Sequence, residues 1–95
     1  MARAKLNFTI PWYEKEDWDL IRKISEDSDE MENSFEEWYS KALSTKLFFE
    51  KEGFNVVKIL IRPDEILQWS KAKNCKIHAS SRERFISEKH KEILK

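Results

Sequence analysis

The sequence predicts a small two-layer α+β domain, rich in helix, with the element order β-α-α-β-α-α and a short two-stranded sheet. Three observations lead there. Hydrophobic residues make up 40% of the chain and charged residues 38%, with four Trp and six Phe, which is too much aromatic surface for a disordered chain. Glycine occurs once and proline twice, so few sharp turns are available. Ninety-five residues make one domain with one core, burying roughly 60–65% of the unfolded surface.

Leu6 to Trp12 alternates strictly, with Leu6, Phe8, Ile10 and Trp12 on one side and Asn7, Thr9 and Pro11 on the other. This is a half-buried strand. Pro11 cannot donate a ladder hydrogen bond, which places it at an edge or at the strand's end. Glu14 to Ile24 reads as a short helix with an acidic first turn and a stripe of Trp18, Ile21 and Ile24, with Leu20 beside it. Ser25 to Asn33 is a carboxylate-rich loop.

Ser34-Phe35-Glu36-Glu37 is a capping box that opens the longest helix, Ser34 to Glu52. Its broad apolar face carries Phe35, Trp38, Tyr39, Ala42, Leu43, Leu47 and Phe49. Gly53 is the natural left-handed stop, with Phe49 and Phe54 placed to pack together across it. Phe54 to Ile61 is the densest β-branched run and the inner strand. Val57, Ile59 and Ile61 give it one fully apolar face, while Phe54, Val56 and Leu60 share the other with Lys58 and Arg62. Pro63 opens a helix that runs to about Lys73, and Asn74 ends it. Ser80-Ser81-Arg82-Glu83 is read as a second capping box, opening a last helix with Phe85, Ile86, His90, Ile93 and Leu94 along one side. Two strands joined through helices are expected to be parallel with a right-handed crossover. A two-stranded sheet is marginal alone, so the mixed face awaits a helix, solvent or a partner, and the sheet is open to extension by dimerisation.

The lone Cys75 excludes an intramolecular disulfide and suits a cytoplasmic setting. No apolar run approaches the roughly 20 residues that cross a bilayer, and the basic start lacks a secretory apolar core. Cys75-Lys76-Ile77-His78 looks like half a metal site, but no second cysteine completes it, and an incidental role is the stronger reading. A Cys75–His78 nucleophile pair would need proximity and an oxyanion hole that sequence does not supply. Asp27, Asp29, Glu30 and Glu32 fail as an EF-hand, because no glycine makes the turn and Trp38 stands where the twelfth-position glutamate belongs. No glycine-rich phosphate loop exists. No metal, cofactor or catalytic residue is therefore assigned, and the chain is read as a non-enzyme.

The charges sum to zero but are segregated: Glu14 to Glu37 holds eleven acidic side chains against three basic ones, a local charge of −8. That pattern favours association. The leading reading is a non-catalytic interaction or regulatory domain, a homodimer or the binder of another protein, with Trp12, Tyr13, Trp69 and Lys58 as contact residues. The alternatives are a nucleic-acid-associated regulator using Arg82, Arg84 and Lys89 on the basic final helices, and an acidic decoy that inhibits a basic protein through Asp27, Asp29, Glu30 and Glu32.

Pro11-Trp12-Tyr13 with Glu16-Asp17-Trp18, then Ser34-Phe35-Glu36-Glu37-Trp38, then Val57-Lys58-Ile59 and Arg62-Pro63-Asp64-Glu65 with Trp69, resembles a family of small uncharacterised bacterial proteins. The resemblance covers most of the chain. It implies a stand-alone bacterial cytosolic domain and brings no activity, cofactor or site residue.

Overall fold

The computed structural model describes residues 5–93. Strand β1 (Asn7–Trp12) leads into a 3-10 turn at Lys15–Asp17 and helix α1 (Trp18–Ile24). A second 3-10 turn, Ser28–Glu30, interrupts the acidic loop before helix α2 (Phe35–Lys51). Strand β2 (Asn55–Leu60), helix α3 (Pro63–Lys73) and helix α4 (Ala79–Ile93) complete the order. β1 and β2 pair in parallel, with Asn7 opposite Asn55, Ile10 opposite Lys58 and Trp12 opposite Leu60.

The longest helix starts and stops where its local chemistry dictates. The Ser34 hydroxyl accepts a hydrogen bond from the Glu37 N–H at 3.2 Å, satisfying one of the donors left over at a helix start. At the other end Gly53 takes φ +96°. The Phe54 N–H reaches the Phe49 carbonyl at 3.0 Å and the Gly53 N–H reaches Glu50 at 3.1 Å, the two bonds of a Schellman stop. The Phe49 and Phe54 rings then meet edge-to-face with centroids 5.5 Å apart. This stop fixes where β2 begins. At its far end, Pro63 opens α3 without forfeiting a hydrogen bond, and Asn74 closes that helix at φ 52°.

Register partners in a parallel sheet share a face, so the two faces can be assigned directly. Tyr13, Ile59 and Ile61 lie on the first. They join Trp18, Ile21, Ile66, Ile77, Phe85 and Ile86 in one buried cluster built mainly by α1, α3 and α4, which Trp38 of α2 enters against Tyr13 and Trp18. Ile59, Ile61 and Ile66 are sealed from water, each worth roughly 1.5–3 kcal/mol of burial. Phe8, Ile10 and Trp12 lie on the second face with Val56, Lys58 and Leu60. There α2 stacks Phe49 on Phe8 at 3.9 Å and sets Trp38 against Trp12 at 5.2 Å. The mixed face is therefore covered by α2, with Ile10 buried and its register partner Lys58 left exposed.

Three expectations need correction. The Glu14–Ile24 helix is split, because its first turn is 3-10, and Leu20 points to solvent rather than joining the stripe. The last helix does not open on Ser80. It begins at Ala79, and His78 and Ser81 cap each other: the His78 N–H reaches the Ser81 hydroxyl at 2.8 Å, and the Ser81 N–H faces His78 Nδ1 at a long 3.5 Å. Its buried side begins with Ser81 and Arg82 ahead of Phe85 and Ile86. The side chains of Ile93 and Leu94, expected on the same stripe, lie outside the described residues.

A Cβ added at Gly53 would meet nothing within 4 Å, so the backbone angle alone penalises a side chain there. Gly53→Ala is expected to lower unfolding stability by about 1–2 kcal/mol with no change in the urea m-value. A denaturation midpoint equal to wild type would show that this stop is not under conformational strain.

Candidate partner-binding surface

Trp12 ends β1 on the face that α2 covers, and the first turn of α2 brings Phe35, Trp38 and Tyr39 over it. The Trp12 ring lies 5.8 Å from that of Tyr39, edge-on, and Phe35 stacks on Tyr39 at 5.5 Å. Lys58, one step along β2 from Trp12's partner Leu60, holds its ammonium 4.5 Å from the Trp12 ring centroid. At an exposed site such a contact is worth about 0.5–1 kcal/mol. Trp12, Phe35, Tyr39, Lys58 and Leu60 line a groove of about 580 Å³, with Glu14, Lys15 and Glu16 beside them. Lys15 is tied to Glu36 at 2.9 Å, both exposed, and that hydrogen bond holds the Glu36 carboxyl below the usual range.

A second hollow of about 420 Å³ lies between the acidic loop and the start of α4, lined by Tyr13, Trp18, Asp27, Trp38 and Arg82 among others. Its walls are held by a buried ion pair. Arg82 grips Asp27 with two nitrogens at 2.9 and 2.7 Å and reaches the Ser25 hydroxyl at 3.2 Å. That hydroxyl in turn donates to the Ile21 carbonyl at 2.6 Å. Burial is the largest influence and works against the Arg82 charge, but the hydrogen bonds to Asp27 together with the electrostatic pull of Tyr13 and Asp27 leave its pKa raised. The same bonds hold the Asp27 carboxyl below its ordinary value. Burial next to this pair pushes the Tyr13 phenol up to about 12.

Trp69 stands apart from the groove. Its indole N–H donates to Glu88 at 3.2 Å, lowering that carboxyl's pKa, and the Arg84 guanidinium lies 5.5 Å from the ring. A hollow of about 390 Å³ beside it is lined by Glu65, Glu88, Glu92 and Lys89 among others.

The residues expected to make contacts thus divide. Trp12 and Lys58 form the groove. Tyr13 reaches it only with its edge, since it is buried in the core at 4% exposure, which removes it as a free contact. Trp69 belongs to another side. Of the basic trio, Arg82 is buried against Asp27, and Lys89 is held by the Leu60 carbonyl at 2.9 Å and Glu65 at 3.1 Å. Only Arg84 is exposed, so these three present no continuous basic face. Of the acidic four, Asp27 is neutralised by Arg82 and Glu32 meets Lys41 at 3.2 Å, leaving Asp29 and Glu30 at the surface.

The charge segregation also acquires an internal explanation. The acidic segment meets the basic flanks through Asp17–Arg62 at 2.8 Å, Asp27–Arg82 and Glu32–Lys41, with Glu26–Lys76 at 4.0 Å as a weaker pair. Sequence reasoning missed the inward turn of Arg82. The signal was present, since residue 82 lies three and four positions before Phe85 and Ile86 and so falls on their stripe. Phe35 and Tyr39 were visible as apolar helix positions but not as groove walls.

Among the described residues no three His, Cys, Asp or Glu side chains are grouped to hold a metal ion, and no helix is long and apolar enough to cross a membrane. The chain matches no protein-family model, no curated protein and no solved structure.

Asp27→Ala is expected to cost roughly 3 kcal/mol, because it strands a buried guanidinium. Adding Arg82→Met should recover part of the loss in a urea double-mutant cycle; additive losses would mean that the two side chains are not coupled. Asp27 titrates lower in the folded state than unfolded, so its contribution is present above about pH 4 and is lost as pH falls through the folded value. Asp27→Ala should accordingly flatten the acid limb of stability against pH. Tyr13 is shifted upward, so its contribution is present below pH 10 and declines between about 10 and 12.

Proposed function

We propose that this chain is a non-catalytic interaction domain that acts through protein–protein contacts and associates with itself as a homodimer. One observation carries the reading: uncovered apolar surface is concentrated on the α2 side. Of the five exposed large hydrophobic side chains among the described residues, Tyr39, Leu47 and Phe48 belong to α2, and Leu6 extends the sheet face that α2 covers. Leu20 is the exception. Leu47 and Phe48 are each 57% exposed and Leu6 is 74% exposed. They sit toward the end of the molecule where Phe49 stacks on Phe8, and the aromatic groove opens at the opposite end of the same helix. Exposed apolar side chains concentrated on one side of the molecule in this way support a docking role.

The nucleic-acid and acidic-decoy readings have less support, because Arg82 and Asp27, central to the two readings respectively, neutralise each other inside the fold. The resemblance to small bacterial proteins contributes a bacterial cytoplasmic setting and no chemistry.

Multi-angle light scattering at micromolar concentration tests the homodimer. The expected mass is twice the 11.5 kDa of one chain, and Leu47→Ser combined with Phe48→Ser should return it to one. A wild-type mass of one chain across the whole concentration range would sink the homodimer.

A further inference from the structure

The two edges of the sheet differ in what they leave unmade. The Asn55 and Ile61 N–H groups bond to the Leu6 and Trp12 carbonyls at 2.8 Å. Odd-numbered residues of β2 therefore face β1, and Val56, Lys58 and Leu60 turn their N–H and C=O groups outward. Among the described residues, only the Leu60 carbonyl of these has a partner, the Lys89 ammonium. On β1 the outward residues are Asn7, Thr9 and Pro11, and Pro11 has no N–H to offer. An added strand finds its donors and acceptors at β2, over Val56 and Lys58.

The side chains at that edge select among occupants. In any two-fold antiparallel pairing centred on this stretch, the two Lys58 side chains fall on the same face, opposite or one diagonal step apart. Like charges so placed are destabilising, and an edge lysine commonly blocks self-pairing in this way. The charge that repels a copy attracts an acidic strand. Residues of an added strand opposite Val56, Lys58 and Leu60 would share the α2 side, with Trp12, Tyr39 and Leu60 of the groove beside them.

We propose that β2 is the docking edge for an extended segment of a partner protein of pattern apolar-x-acidic-x-apolar. The segment adds as a third strand, its carboxylate against Lys58 and its flanking apolar side chains against Val56 and the Trp12–Leu60 end of the groove. Main-chain bonds supply affinity and the alternate side chains supply specificity, the logic of strand addition to an open edge. Lys89 on the Leu60 carbonyl closes that end and keeps the added segment short. The inference rests on the interaction-domain reading and gives its groove an occupant distinct from the self-association surface at Leu47 and Phe48.

The test uses the full chain, ¹⁵N-labelled, titrated with the capped peptide Thr-Val-Thr-Glu-Thr-Val-Thr, its lysine-centred counterpart, and a version N-methylated on alternate residues. The glutamate peptide should shift the Val56, Lys58 and Leu60 amides and the Trp12 indole. The lysine peptide should bind about tenfold more weakly, from the swing between an opposite and a like cross-strand charge pair. N-methylation on the pairing edge should abolish the amide shifts. Lys58→Glu, an exposed change, should invert the charge preference. Shifts confined to Phe35 and Tyr39, with the three edge amides unmoved, would overturn strand addition while leaving the interaction surface standing. No shifts at millimolar glutamate peptide, or equal affinity for both charges, would overturn it as well.

Discussion

Two parallel strands do not make a self-sufficient sheet. Each strand has one paired edge and one open edge, and both faces carry apolar side chains that water would penalise. Most of the remaining structure answers that constraint. On one face α1, α3 and α4 enclose Ile59 and Ile61 with Trp18, Ile66 and Phe85. On the other, α2 lays its aromatic side along β1 from Phe8 to Trp12. The helix can do so because its ends are fixed by Ser34 and Gly53. Coverage is uneven at the level of side chains, since Ile10 is buried while Lys58, its partner across the sheet, stays exposed.

The Arg82–Asp27 pair is a second, subordinate device. It joins the acidic loop to the beginning of α4, and the Glu26 N–H bonded to the Ile77 carbonyl at 2.8 Å runs beside it. An apolar pair of similar volume would stabilise as well or better. A bidentate ion pair with Ser25 as a third member instead fixes one orientation, since any other docking of the loop leaves a charge buried alone. The acidic run of the chain is therefore partly a counterpart to its own basic flank, and its remaining surface charge is smaller than the −8 of the segment.

Much of the fold was legible in the sequence because local chemistry there is decisive. Strict alternation placed β1, the Ser34 box and Gly53 bounded α2, Pro63 and Asn74 bounded α3, and the β-branched run placed β2. The misreadings share a cause. Ser80-Ser81-Arg82-Glu83 satisfies a capping pattern, but Ser81 is drawn into the turn instead, donating to the Lys76 carbonyl at 2.6 Å, so the helix starts earlier. Arg82 and Lys89 read as solvent-facing cations because a basic residue on a stripe is normally outside; only the tertiary position of Asp27 and the Leu60 carbonyl turns them inward. The groove was half legible: Trp12 and Lys58 stood out by type, while Phe35 and Tyr39 join them only through a contact distant in sequence.

The parallel register also bears on how the chain reaches this structure. Asn7 and Asn55, joined side chain to side chain at 2.9 Å, are 48 residues apart, so the sheet cannot form until everything between has been gathered in. Closing a loop of that length costs roughly 3.4 kcal/mol beyond the constant term, and no hairpin exists to begin the pairing. Helix α2, with its caps encoded locally, lies inside that loop and can form before the closure. Its docking of Phe49 on Phe8 is the contact that shortens the search for β2. Folding is thus expected to be slower than in a helical bundle of equal length, with its rate most sensitive to the aromatic seam between α2 and β1.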